Sequence, residues 1–198
     1  MHFYINGEQV DVTLENEKTV GDVLKSFEQT CEQNSLTTIA IKLNGSTVPA
    51  RQFDEASLQP LKEDTKLELT VISAQDVFDS LSSLITPFTD IKTDVENIPI
   101  LLQSGKDSEV HKTITELADL IDQLCRSVTF SALFPEKLAI IKIGEKTTAD
   151  FFADFSQILG DFKNALESKD TVTIGDLAEY EIGPRLSEIA ETLKELHV

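Results

Sequence analysis

The chain has 198 residues, 40% of them hydrophobic and 26% charged, enough to bury a core in one large domain or two small ones. Seventeen basic residues face 35 acidic ones for a formal net charge of −18, a field that repels phosphate backbones and anionic lipid and suits either basic partners or solubility alone. Nucleic acid and membrane are set aside as partners: no Lys/Arg cluster is interleaved with aromatics, and apolar runs such as LAII and IPILL fall far short of the ~20 residues that cross a bilayer.

The opening MHFYINGEQV lacks the basic start and apolar stretch of a signal peptide. In it, HFYI is followed by Asn6-Gly7 and by EQVDVTL, where Val10, Val12 and Leu14 alternate with Asp11 and Thr13. Two alternating runs across Asn-Gly, a pair that accepts positive φ, predict a β-hairpin. Thr19 then precedes Val20, Val23, Leu24, Phe27 and Cys31 at three- and four-residue spacing, with Asp22 three residues after Thr19. This is the pattern of a capped amphipathic helix. After Asn34 the period returns to two through Ile39, Ile41 and Leu43. A second Asn-Gly, Asn44-Gly45, turns the chain into the short run STV, which Pro49 ends or confines to an edge. A helical turn at Ala56–Leu58 and a loop lead to KLELTVIS, with Leu67, Leu69 and Val71 facing inward.

The order strand, strand, helix, strand, strand, short turn, strand, within residues 1–73 and with two Asn-Gly turns, resembles the ubiquitin-like β-grasp fold. In ubiquitin and the small sulfur-carrier proteins the last strand leads to a Gly-Gly tail whose carboxylate is activated. Here Ser73 is followed by AQDVF and no Gly-Gly occurs, so conjugation and sulfur transfer are not carried over. The resemblance implies instead a recognition surface. Ser73 also begins SAQD, with Asp76 three residues on, a cap that starts a helix directly from the strand. This predicts a stiff joint between residues 1–73 and 74–198, with a fixed relative orientation.

From Gln75 onward the apolar period is helical. Phe78, Leu81, Leu84 and Ile85 mark a first helix, interrupted near Pro87, and Ile91, Val95, Ile98 and Leu101 a second, ending near Ser104-Gly105. Val110, Ile114, Leu117, Ile121, Leu124 and Val128 step four and three without a break, an a/d seam that calls for a packed partner. Around Pro135 the pattern is disturbed, and EKLAIIKIGEK fits either a short strand or a buried connector. Thr147 opens a helix with a broad face of Phe151, Phe152, Phe155, Ile158, Leu159, Phe162 and Leu166. A last series, Ala178, Ile182, Leu186, Ile189, Leu193 and Leu196, runs through Gly183-Pro184, where a kink is expected. The fold class is α+β: a β-grasp domain over residues 1–73 and an all-α antiparallel bundle of four or five helices over 74–198.

No set of residues suggests catalysis. Phosphate-loop and nucleophile motifs are absent, and His2, His111 and His197 fall in no metal-ligand spacing. Cys31 and Cys125 sit among apolar neighbours and read as reduced core thiols, which fits a cytoplasmic location. Glu116, Asp119, Asp122, Asp150 and Asp154 fill the gaps of the apolar pattern, where solvated residues belong. The segment AEYEIGPR reads as a kinked helix with an internal ion pair, or as a binding epitope. The resulting expectation is a non-enzymatic, bacterial-type protein without cofactor or metal: an adaptor or chaperone-like binder of another protein, either basic or presenting an amphipathic helix. Tyr4, Ala40, Lys42, Thr70 and Ile72 on the outward sheet face, with Tyr180 and Arg185, are its candidate contacts. Ile121 and Leu124 would open in a helix-capturing variant of this reading. Two alternatives stand beside it: a homodimer or assembly protein whose seams pair between chains, and a small-molecule-binding or enzymatic protein with a site hidden in the bundle.

Overall fold

A computed structural model describes residues 1–138 and 141–196. Ala139 and Ile140, within the ambiguous EKLAIIKIGEK segment, and His197 lie outside the described residues. The chain divides into two compact units, Met1–Asp76 and Val77–Val198.

The first unit follows the expected element order. Strands β1 (His2–Ile5) and β2 (Glu8–Val10) form an antiparallel hairpin. Helix α1 (Val20–Gln33), strand β3 (Leu36–Leu43), the two-residue strand β4 (Ser46–Thr47), the short helix α2 (Phe53–Ser57) and strand β5 (Lys66–Ser73) complete it. The sheet runs β2-β1-β5-β3-β4, with β5 parallel to β1 and antiparallel to β3. Phe3, Leu43, Leu67 and Leu69 from the sheet pack with Val20, Val23 and Leu24 of α1 and with Ala56. The capping box is formed: Asp22 N–H donates to Thr19 Oγ1 (3.2 Å), and Asp22 Oδ2 accepts from the backbone N–H groups of Lys18 and Thr19 (2.9 Å each). Those bonds hold the Asp22 carboxyl below its ordinary pKa, the Lys18 backbone contributing most.

Both Asn-Gly turns exist, and both do more than turn. Asn6 (φ 50°) and Asn44 (φ 52°) occupy the left-handed region. Asn6 Nδ2 donates to Val71 O (3.1 Å), while Val71 N–H donates to Asn6 Oδ1 (2.9 Å). Asn44 Oδ1 accepts from Lys66 N–H (2.9 Å). The two asparagine side chains thus grip β5 near its two ends. The expected second strand is shorter than its alternating pattern: β2 stops at Val10, and Val12 and Leu14 are exposed. Its pairing with the four-residue β1 runs from Ile5↔Glu8 to Phe3↔Val10 and goes no further.

Strand β5 passes into helix α3 (Ala74–Ser83) through the predicted cap. Asp76 Oδ2 accepts from both the backbone and the hydroxyl of Ser73 (2.7 Å each), and Asp76 N–H donates to Ser73 Oγ (3.0 Å). Helices α4 (Ile85–Glu96), α5 (Ile98–Gln103) and α6 (Asp107–Ser131) follow. A hairpin of β6 (Lys142–Ile143) and β7 (Lys146–Thr147) gives the described part of the ambiguous segment short strands. Helix α7 (Thr148–Ser168), helix α8 (Thr171–Asp176), a π-helical turn (Leu177–Ile182) and helix α9 (Gly183–Lys194) end the unit.

The α+β, two-part architecture is as expected, but the second unit is divided more finely than four or five helices: its described residues with α3 form seven α-helical stretches. The first break falls at Leu84 and not near Pro87. Pro87 sits in the first turn of α4, where the backbone N–H groups have no intrahelical acceptor and the ring is tolerated. Asn97 separates α4 from α5 inside the stretch that the apolar spacing joined. On α6 the buried stripe is rotated from the predicted seam. Val110, Leu117 and Leu124 are buried, but Ile114, Ile121 and Val128 are half-buried, and Thr113, Ser127 and Ser131 take the inner positions. Hydrogen bonding makes this tolerable for the two serines, since Ser127 Oγ lies 2.8 Å from Ser80 Oγ and Ser131 Oγ donates to Val128 O (2.8 Å). Phe88, Ile98, Phe155, Ile174, Ile182 and Leu186 are fully buried and mark the core of the unit.

Candidate functional site

The candidate site is an open groove in the first unit, and it follows from the shortness of β4. Strand β3 has eight residues, whereas β4 pairs with it only at Lys42↔Thr47 and Leu43↔Ser46, with one more bond from Val48 N–H to Ile41 O (2.9 Å). Pro49 adopts φ −68° and leads into a helical turn, so the return strand goes no further. Beyond β5 on its inner side, Leu36–Ala40 has no strand partner among the described residues. The register shift between Thr38 and Ala40 places a bulge in the same stretch.

Between this bare edge and α1 lies a cavity of about 650 Å³. Helix α1 contributes Leu24, Glu28, Cys31 and Glu32, residues 36–41 of β3 form the opposite wall, and Val48, Ala50 and Phe53 close one end. The wall is mainly apolar, and Phe53 is 40% exposed. Glu28 and Glu32 stand on one rim, exposed, and neither forms a salt bridge among the described residues. Carboxylates at i and i+4 on a helix repel, and no lysine or arginine lines the cavity. Cys31 is buried there as a free thiol; burial raises its pKa, and a hydrogen bond with the Thr38 side chain acts the other way.

The residues singled out from the sequence lie elsewhere, apart from Ala40, which also lines the groove. Tyr4, Ala40, Lys42 and Thr70 are in register on the sheet through Tyr4↔Glu68, Lys42↔Glu68 and Ala40↔Thr70, and Ile72 is opposite Thr37. Lys66 and Glu68, which sequence reasoning left out, join that face: Lys66 Nζ lies 4.7 Å from the Tyr4 ring centroid and 3.1 Å from Glu68 Oε1. Tyr180 is 64% exposed beside a shallow depression formed with Thr173, Asp176, Leu177 and Glu181. A hydrogen bond with Glu179 raises its pKa. Arg185 does not join Tyr180 in a site. Its Nη1 donates to the carbonyl and the carboxylate of Glu181 (2.8 Å each), forming the internal ion pair of a helix that the π turn widens ahead of Pro184. Leu124, expected to open toward a helical ligand, is 1% exposed.

Four of the five acidic residues found in the gaps of the apolar pattern are spent locally, and the fifth, Asp119, is exposed on α6. Glu116 pairs with Lys112 and Asp122 with Arg126, while Asp150 accepts from Thr147 Oγ1 and Asp154 meets Lys146. Among the described residues no three His, Cys, Asp or Glu side chains are grouped to hold a metal ion. No described helix is long and apolar enough to cross a membrane.

Residues 1–73 match the family described as the TP0873 N-terminal domain. Residues 79–192, more than half of the chain, match a second, the domain of unknown function DUF8042. The chain belongs to the DUF8042 family. Its two matched regions fall on either side of the division between the two compact units. A relative from Treponema pallidum (strain Nichols), described as an uncharacterized protein, is 28% identical over 191 residues, covering 96% of this chain and 95% of that protein. The likeness therefore extends across both units. No solved structure matches the chain.

Proposed function

We propose that this DUF8042 protein is a non-catalytic protein-interaction module, an adaptor or chaperone-like binder, and that the groove between α1 and β3 is its recognition site. The observation that carries the reading is the bare edge of β3 beside an apolar cavity with a rim of unpaired carboxylates. Edge strands of this length are normally covered or charged, because their free N–H and C=O groups template pairing with another chain. An edge left uncovered next to an apolar trough is suited to a partner. The strand order β2-β1-β5-β3-β4 and the helix packed on the sheet support a ubiquitin-like β-grasp reading of the first unit, and that fold serves recognition in many settings.

The test uses tagged full-length protein and a Phe53→Glu variant, each crosslinked in the cells that produce it and recovered for mass spectrometry. Phe53 is 40% exposed, and circular dichroism of the purified variant checks that its fold matches the wild type. The reading expects a partner protein with the wild type that is lost with the variant. Equal recovery from both would move recognition away from the groove, and recovery of the chain alone would favour the homo-assembly alternative.

A further inference from the structure

We infer that the groove binds its partner by strand addition, and that the occupant is an extended, apolar segment flanked by lysine or arginine, hydrogen-bonded along Leu36–Ala40 of β3. The inference rests on the reading of the groove as a protein-binding site and adds its mode and its charge. Three observations select the occupant. Five consecutive residues of β3, with a bulge between Thr38 and Ala40, lack a partner on their outer side, a length of at most about 17 Å at about 3.3 Å per residue, which accommodates a short strand and not merely a single side chain. The cavity beside that edge is lined by Leu24 and Cys31 of α1, by Leu36, Ile39 and Ile41 of β3 with Thr37 and Thr38 among them, and by Phe53, which gives mainly apolar pockets to alternate side chains of an added strand. Glu28 and Glu32 then supply the electrostatic half: exposed, one turn apart, and without salt bridges among the described residues. A helical ligand satisfies the apolar wall but leaves the β3 edge unpaired, and an acidic strand would add to the repulsion between the two carboxylates.

The experiment selects random peptides displayed on phage against the full-length chain, then repeats the selection against a Glu28→Lys/Glu32→Lys double variant. The expected result is enrichment of peptides that alternate β-branched or aromatic residues and carry Lys or Arg, with at least tenfold weaker binding to the double variant. Hydrogen exchange on the complex with the best synthetic peptide should show slowed amides within residues 36–40. Enriched peptides that are acidic or helix-forming would overturn the inference, as would binding without protection of residues 36–40. Binding that instead protects the outer sheet face or the segment around Tyr180 would sink it while leaving a protein-binding function standing. Failure to enrich any peptide would count against both. A stable dimer that protects residues 36–40 in the absence of peptide would replace the partner segment with a second copy of this chain.

Discussion

Replacing Asn6 is the most informative perturbation of the first unit, because its side chain does the work of a strand residue. In Asn6→Ala the two hydrogen bonds to Val71 disappear, each contributing about 1 kcal/mol. Alanine must also hold φ near 50°, which costs about 1 kcal/mol more. The sum, about 3 kcal/mol, is a large share of the stability of a unit of this size. In Asn6→Gly the bonds are lost without the left-handed strain, so the cost falls to about 2 kcal/mol. Asn44→Gly removes only the single bond to Lys66, for about 1 kcal/mol. Hydrogen exchange by mass spectrometry on peptides covering residues 66–73 of the full-length chain reads these losses directly, since about 1.4 kcal/mol corresponds to a tenfold change in the opening equilibrium. Exchange should accelerate roughly hundredfold in Asn6→Ala, less in Asn6→Gly and least in Asn44→Gly. An acceleration below about threefold in Asn6→Ala would refute the side-chain grip on β5, and equal effects for alanine and glycine would refute the backbone argument.

Other outcomes follow from burial and capping. Phe88 is fully buried, and Phe88→Ala should destabilise the second unit by about 3–5 kcal/mol in urea unfolding; a loss under about 1 kcal/mol would mean the core is misplaced. On α6, Leu117→Ala should cost about 2–5 kcal/mol and the half-buried Ile121→Ala clearly less, whereas equal losses would restore the unrotated seam. The lowered pKa of Asp22 means that its stabilising contribution is complete above the ordinary carboxylate range and is lost as pH falls through it, below about pH 4. The difference in Tm between wild type and Asp22→Asn should therefore be largest near neutrality and shrink toward about pH 3; a difference that grows on acidification contradicts this.

Features set by a few adjacent residues were legible in the sequence. The caps at Thr19, Ser73 and Thr147 each need only a hydroxyl and an aspartate three residues later, and the Asn-Gly turns need only a pair that accepts positive φ. Features set by packing across the chain were not. The inner face of α6 includes Thr113, Ser127 and Ser131, which a reading by hydrophobic spacing passes over because their burial depends on partners such as Ser80. Alternation continues through Val12 and Leu14 in the sequence, but pairing with β1 ends at Phe3↔Val10 and leaves both exposed. The groove had a signal that went unused. An eight-residue strand followed by a return run stopped at Pro49 must leave much of its edge bare, and Glu28 and Glu32 occupy the exposed face of the preceding helix. The outward sheet face includes Ala40, which also lines the groove, but not Phe53, whose exposure depends on the course of the chain after β4.

A photoreactive amino acid at position 53 of the full-length chain, introduced in the cells that produce it, identifies on irradiation what occupies the groove. A covalent adduct with a different protein, joined through an extended basic segment, is the expected result. Adducts formed only between copies of this chain, or none above those of a probe placed on the solvated face of α6 at Asp119, would contradict it.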